Sequence, residues 1–151
     1  MTAAIDYNGI ASALQSKLTG YAALSAVKVN IEEELALLGV QSCPWVGIYL
    51  ERRDGPPELQ GLSGGTRQRL YLRYSIWCWQ ASMDGSATAI SLRNTLIGNV
   101  ELALITDRDL NGLARTLWLE GGNLMSGQPE GGSDWMSGGE IIAVVDATAI
   151  A

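Results

Sequence analysis

The segment from residue 67 to residue 80 alternates strictly between two sets of side chains. A period of two over this length predicts a long β-strand whose side chains point in turn to opposite faces of a sheet. One set is an ordinary apolar core face, whereas the other is rich in Arg, Tyr and Trp. The apolar set is Leu70, Leu72, Tyr74, Ile76 and Cys78, and the second is Arg69, Tyr71, Arg73, Trp77 and Trp79.

The second set predicts a protein–protein interface, because Arg, Tyr and Trp are enriched where proteins meet. Two other interpretations remain open: a second core face, and a sheet surface on which nucleic-acid bases stack. A net charge of −6 argues against binding of nucleic acid, which depends on accumulated Lys and Arg. The candidate interface also includes apolar side chains of a glycine-rich segment. Its residues are Arg67, Arg69, Tyr71, Arg73, Trp77, Trp79, Met125, Trp135 and Met136.

Residues typical of catalysis are scarce. The chain contains no His, so it lacks an imidazole base for a nucleophile and an imidazole metal ligand. Residues 61–65 match the GxSxG pattern of hydrolases, but a strand comes next where a helix is required. The two cysteines, Cys43 and Cys78, form no CxxC pair. We therefore expect no enzyme activity, no catalytic residues, no cofactor and no metal site.

Residues 107–112 (DRDLNG) match the first half of an EF-hand calcium loop. The twelfth position of such a loop should be Glu, but it is Trp118 here. A polar connection with a left-handed turn is the alternative, and it is favoured because residues 113–120 alternate like a strand.

Length predicts one domain over residues 1–151, large enough for a real core. No apolar run approaches the length of a membrane span, and the N-terminus does not resemble a secretory signal. Two unclustered cysteines fit a reducing cytoplasm.

The order of predicted elements favours an α+β fold: a mostly antiparallel four-stranded sheet with helices packed on one face. An amphipathic helix begins near Asp6 or Asn8, and a second, over residues 86–104, begins at Asp84 or Ser86. Strands are predicted over residues 45–51, 67–80, 113–120 and 141–147, with a fifth possible at 26–31 and a helical turn at 32–38. Two long Gly-rich loops, 54–66 and 121–139, are expected to be mobile until a partner orders them.

This layout resembles the tail terminator, or tail completion, proteins of long-tailed bacteriophages. The resemblance rests on a short N-terminal helix, a Pro-led strand (Cys43 to Leu50), a long strand (Gln68 to Trp79), a helix (Ser86 to Leu104) and two closing strands around a Gly-rich segment. It covers nearly the whole chain.

The resemblance implies a structural virion protein with no enzyme activity. Such a protein forms a homo-oligomer, a hexameric ring that caps the tail tube and connects it to the head or neck. Its partners would be the tail tube protein and a head-completion or neck protein, with no membrane and no specific nucleic acid, although DNA can pass through the ring. It would be assembled in the host cytoplasm and end in the virion tail. The alternatives are another neck or tail tube component, and a small cytoplasmic protein-binding adaptor domain.

Overall fold

A computed structural model of the protein describes residues 4–32, 43–55, 68–128 and 134–149. Its elements are two α-helices, a short 3-10 helix and six β-strands. In chain order they are α1 (Tyr7–Thr19), the 3-10 helix (Ala22–Leu24), β1 (Lys28–Ile31), β2 (Trp45–Asp54), β3 (Gln68–Ser82), α2 (Ser86–Ile105), β4 (Thr116–Glu120), β5 (Leu124–Gly127) and β6 (Trp135–Ala149).

The strands form one mixed sheet in the order β1-β2-β3-β6-β4. β5 also pairs with β6, at residues 136–139, whereas β4 pairs with residues 142–146. β1 runs parallel to β2, while every other pairing is antiparallel. The two long strands β3 and β6 lie in the middle and pair in unbroken register from Gln68 opposite Ala149 to Ser82 opposite Trp135. This central pair sets which side chains share a face.

Both helices pack on the same face of this sheet. The apolar stripe of α1 contributes Ile10, Leu14 and Leu18, and α2 contributes residues such as Leu96 and Val100. They meet the inward set of β3, which is Leu72, Tyr74, Ile76 and Cys78. All of these side chains are almost fully buried, so a single core lies between the helices and the sheet.

Local sequence signals account for the first helix. The Asp6 carboxylate accepts a hydrogen bond from the Gly9 amide at 2.9 Å, which confirms the predicted cap. At α2 the prediction was wrong, because Gly85 occupies the cap position at φ 123° and no side chain caps the helix. Glycine reaches this backbone conformation without the steric cost of a side chain.

The α+β class is confirmed, but the sheet is larger than the four strands predicted. β1 forms and pairs in parallel, so the sheet is mixed rather than simply antiparallel. Residues 121–139 are not one long loop, because β5 and the first third of β6 lie within them and pair with each other. Ladder hydrogen bonds hold these strands in the isolated chain, so mobility of the whole segment is not expected. No described helix is long and apolar enough to cross a bilayer.

Part of the prediction lies outside the described residues. This applies to the helical turn over residues 33–38, to the GxSxG match at residues 61–65 and to nearly all of the 54–66 loop.

Candidate interface on the aromatic face

The sheet face opposite the helices carries six large aromatic side chains, and we call it the aromatic face. The β3 residues Tyr71, Trp77 and Trp79 belong to it. In a pleated sheet directly paired residues share a face. Trp45 pairs with Trp79 and Tyr49 pairs with Ser75, so β2 adds Trp45 and Tyr49. Trp118 of β4 joins through its ring contact with Tyr71. The face is therefore built by three strands that are distant in sequence.

The aromatic rings pack on one another and over glycines. Trp77 and Trp79 stack with centroids 5.6 Å apart and ring planes 16° apart. A Cβ atom on Gly138 would lie 2.5 Å from the Trp79 ring, and one on Gly47 would lie 2.5 Å from the Trp45 ring. These two positions need glycine because the indoles occupy the space above the backbone. The rings are thereby held in fixed orientations.

The arginines of this face are paired with carboxylates from neighbouring strands. Arg69 binds Asp146 of β6, and Arg73 binds Glu120 at the end of β4. The Ser75 hydroxyl donates to a carboxylate oxygen of Glu140. Arg69 also lies beside the Tyr71 ring, with 5.6 Å between its guanidinium carbon and the ring centroid. Because the positive charges are largely compensated within the chain, the face offers little attraction to phosphate groups.

Several polar atoms of the aromatic face are buried and have no hydrogen-bond partner among the described residues. Trp45 is 1% exposed and Trp79 is 7% exposed, and the indole N–H of each lacks an acceptor. The Thr148 hydroxyl, opposite Arg69 in the register, is also unpaired. A buried polar group without a partner destabilises the fold, because it has given up its hydrogen bonds to water without forming new ones. The described part of the chain thus leaves some polar groups of this face without hydrogen bonds.

The structure brings together most, but not all, of the predicted interface residues. Arg69, Tyr71, Arg73, Trp77 and Trp79 share the aromatic face. Met125 and Met136 join its edge: Met125 pairs with Gly138, over which Trp79 lies, and Met136 pairs with Ala81.

Two predicted residues stand apart from this group. Trp135 pairs with Ser82, and residues at this alternate position along β3 and β6 face the helices. Trp135 therefore belongs to the helix side of the sheet rather than to the aromatic face. Arg67 lies outside the described residues.

Sequence reasoning missed several residues of this face. Trp45 and Trp118 were assigned to strands but not to the candidate interface, and the acidic partners Glu120, Glu140 and Asp146 were not singled out. Alternation within residues 45–49 and 116–120 marks which side chains share a face. It does not reveal which strands are neighbours, so the ion pairs could not be anticipated.

The DRDLNG segment forms a tight turn after α2. Leu110 and Asn111 have φ angles of 52° and 57°, and Gly112 has 89°. Asp109 accepts a hydrogen bond from the Asn111 amide at 3.1 Å, and the Lys17 ammonium donates to the Asp107 carbonyl. The described residues contain no group of three or more His, Cys, Asp or Glu placed to hold a metal ion. The geometry is that of the left-handed polar connection.

Both cysteines are free thiols, and burial raises the pKa of each. For Cys43 the pKa rises to about 11, and for Cys78, which is fully buried in the core, it lies higher still. Since the thiolate is the reactive form, neither residue has the properties of a nucleophile near neutral pH.

No protein-family model matches the chain, and no curated protein sequence matches it significantly. Among solved structures, the chain is similar to the sheath/tube terminator of PVC, an extracellular contractile injection system, determined by cryo-EM in the extended state. The match covers 100% of this chain and 58% of the other, with a TM-score of 0.51 and 17% sequence identity. The chain thus spans little more than half the length of that protein. Its fold is similar to that of a sheath/tube terminator.

Proposed function

We propose that this chain is a tail terminator subunit that ends the tube of a bacteriophage tail or a related injection apparatus. The observation that carries the proposal is the similarity of the entire chain to a sheath/tube terminator. The order of elements along the sequence supports the same function independently. We assign the chain to a homo-oligomeric ring, a hexamer, that caps the tail tube and joins it to the head or neck.

The aromatic face is the surface that we assign to assembly. Its Trp77 and Tyr71 rings are half-buried in the isolated chain, and therefore retain apolar area that a neighbouring protein can cover. The indole N–H groups of Trp45 and Trp79 have no acceptor among the described residues, and assembly would stabilise the face if it shifts these groups so that they meet acceptors. Aromatic anchors surrounded by paired charges are the arrangement found at the centre of many interfaces.

We further propose that the protein acts without catalysing a reaction. Capping a tube requires one surface that is complementary to the last tube ring and a second surface to which no further tube ring can bind. The absence of His and the raised pKa of both thiols support a structural role. DNA would pass through the ring without specific binding, which fits the acidic net charge and the paired arginines.

The native mass of the purified protein tests the ring directly. We expect a mass of six chains, alone or after mixing with a tail tube protein from the same source. Deleting the gene should yield tails of uncontrolled length that fail to join heads. Tails of normal length joined to heads would refute the assignment, and a strictly monomeric protein that ignores the tube would favour the adaptor alternative.

A further inference from the structure

Arg93 is a buried cation whose hydrogen-bond partners among the described residues are all neutral. It lies on the sheet-facing side of α2 and is 7% exposed. Its Nη1 donates to Ser137 Oγ at 3.1 Å, and its Nε and Nη2 donate to Asn94 Oδ1 at 3.1 and 2.9 Å. Within the part of the chain that the structure describes, no acidic side chain forms an ion pair with it. A buried charge is costly without a partner of opposite charge.

Hydrogen bonds lead from Arg93 to the edge of the sheet. The Ser137 hydroxyl that accepts from Arg93 lies 3.2 Å from the hydroxyl of Ser126, and either can donate. Ser126 belongs to β5, whose four residues are all exposed. The Ser137 hydroxyl can donate either to Ser126 or to the Met125 carbonyl, which lies 3.4 Å away. When it donates to Ser126, the buried positive charge is linked through two hydroxyl groups to an exposed strand, and the Ser126 hydroxyl is free to donate to a carboxylate beside it.

The outer edge of β5 is open to pairing. The Glu140 amide donates a hydrogen bond to the Asn123 carbonyl. In an antiparallel ladder the groups that face the partner strand recur at every second residue, so the N–H and C=O groups of Met125 and Gly127 point toward β6. The N–H and C=O groups of Leu124 and Ser126 consequently point outward. Among the described residues these outward groups have no hydrogen-bond partner. The exposed side chains of Leu124 (61%) and Met125 (55%) flank them.

We propose that the β5 edge and Arg93 together bind an extended segment of a partner protein that carries one Asp or Glu opposite Ser126. The segment would add as a strand about 4.8 Å outside β5, using the outward groups of Leu124 and Ser126. Its carboxylate would accept a hydrogen bond from Ser126 and be attracted by the Arg93 charge behind Ser137. The site lies on the sheet edge and the helix side, apart from the aromatic face, and it does not rest on the proposed tail function.

A partner protein is a better occupant than a second copy of this chain. The described strands of the chain are already paired within its own sheet. At the opposite sheet edge, the Gln15 amide group donates to the Val29 carbonyl at 2.8 Å, so β1 is partly blocked for pairing with β5 of another copy. A buried positive charge that forms no ion pair among the described residues favours a ligand of opposite charge.

A positional library of nine-residue peptides, acetylated and amidated at their ends, tests the site on the full-length chain. Mass spectrometry identifies the peptides that the protein retains. Changes in the NMR chemical shifts of the Leu124 and Ser126 amides show whether those peptides bind at β5. At one peptide position we expect Asp or Glu to be preferred over Asn or Gln by about tenfold. Arg93→Gln and Ser126→Ala should each reduce that preference to within about twofold, and Arg108→Gln, which removes an exposed charge, should leave it unchanged.

A matched pair of variants separates strand addition from charge recognition. Ser126→Pro removes the outward amide, so it should abolish peptide retention, whereas Ser126→Ala keeps the amide and should retain peptides without the acidic preference. If Arg93→Gln does not fold, this Ser126 pair still decides the outcome. The proposal is overturned by the absence of an acidic preference, by a preference that survives Arg93→Gln, or by equal retention on both Ser126 variants. It is also overturned if Ser126→Pro abolishes self-association, because the edge would then pair with a second copy.

Discussion

Arg69 and Asp146 form a two-point ion pair across the central strands β3 and β6. Arg69 Nε donates to Asp146 Oδ1 at 3.0 Å, and Nη2 donates to Oδ2 at 2.9 Å. The Asp146 side chain is 7% exposed and that of Arg69 is 25% exposed. The pair therefore lies where water screens it only partly, on the aromatic face.

Replacing Arg69 by Ala should destabilise the fold by about 2–4 kcal/mol, because a buried Asp146 carboxylate would lose its cation. Urea unfolding measures the change. Arg52→Ala is the matched control: its pair with Asp54 is 70% and 33% exposed, so its loss should cost no more than about 0.5 kcal/mol. Equal effects of the two variants would mean that Asp146 is hydrated despite its burial.

Replacing Trp77 by Ala should disrupt association far more than folding. Trp77 is half-buried, so removing it should lower the free energy of unfolding by about 1–2 kcal/mol. If the aromatic face is the interface, the oligomer or its complex with the tube should be lost altogether. Native mass and thermal unfolding measure the two effects, and Leu102→Ala, an exposed apolar change on α2, serves as control. A collapsed melting temperature with intact association would identify the face as a second core.

Replacing Gly138 by Ala should displace the Trp79 ring, because the added Cβ would lie 2.5 Å from its Cζ3 atom. Overpacking of this kind costs about 1–3 kcal/mol. The stacked Trp77–Trp79 pair should also separate, which near-ultraviolet circular dichroism detects.

Gly98→Ala provides the opposite case within the same protein. A Cβ at Gly98 meets nothing within 4 Å, and the residue lies inside α2. Alanine there should stabilise the protein by about 0.5–1 kcal/mol. A loss of stability at Gly98, or a normal Trp signal in Gly138→Ala, would contradict the packing described.

The Asp107 carboxyl should make stability fall as pH rises through its titration. A side-chain hydrogen bond with Asp109, followed by desolvation and the charge of Asp109, raises the pKa of Asp107 above its ordinary value of 3.8. The folded state then binds the proton more tightly than the unfolded state, so protonation stabilises the fold. The destabilising contribution of the Asp107 carboxylate is fully present at pH values above the raised pKa, and it disappears below pH 3.8.

Asp107→Asn should therefore be more stable than the wild type at neutral pH, with the difference vanishing in acid. Urea unfolding at a series of pH values gives this profile. Glu101→Gln, an exposed change on α2, should leave it unaltered. A variant less stable than the wild type at neutral pH would show that the carboxylate has a favourable partner.

Local patterns predicted much of the architecture. Alternation of period two in β3 identified both the strand and the residues that share its faces, since that period results from backbone geometry. The wide apolar stripe of α2 likewise predicted a helix lying on the sheet. β5 could not be found this way, because the sequence Leu-Met-Ser-Gly becomes a strand only through its pairing with β6.

The sequence by itself determined that Arg69, Tyr71, Arg73, Trp77 and Trp79 lie side by side, because neighbours two apart on a strand must face the same way. Only the tertiary structure decided that Asp146 and Glu120 compensate the two arginines, and that Arg93 is buried with Asn94 and Ser137 as its hydrogen-bond partners. Those relationships depend on which strands and helices are neighbours and in what register. They are settled by packing of the whole core, which no short segment encodes.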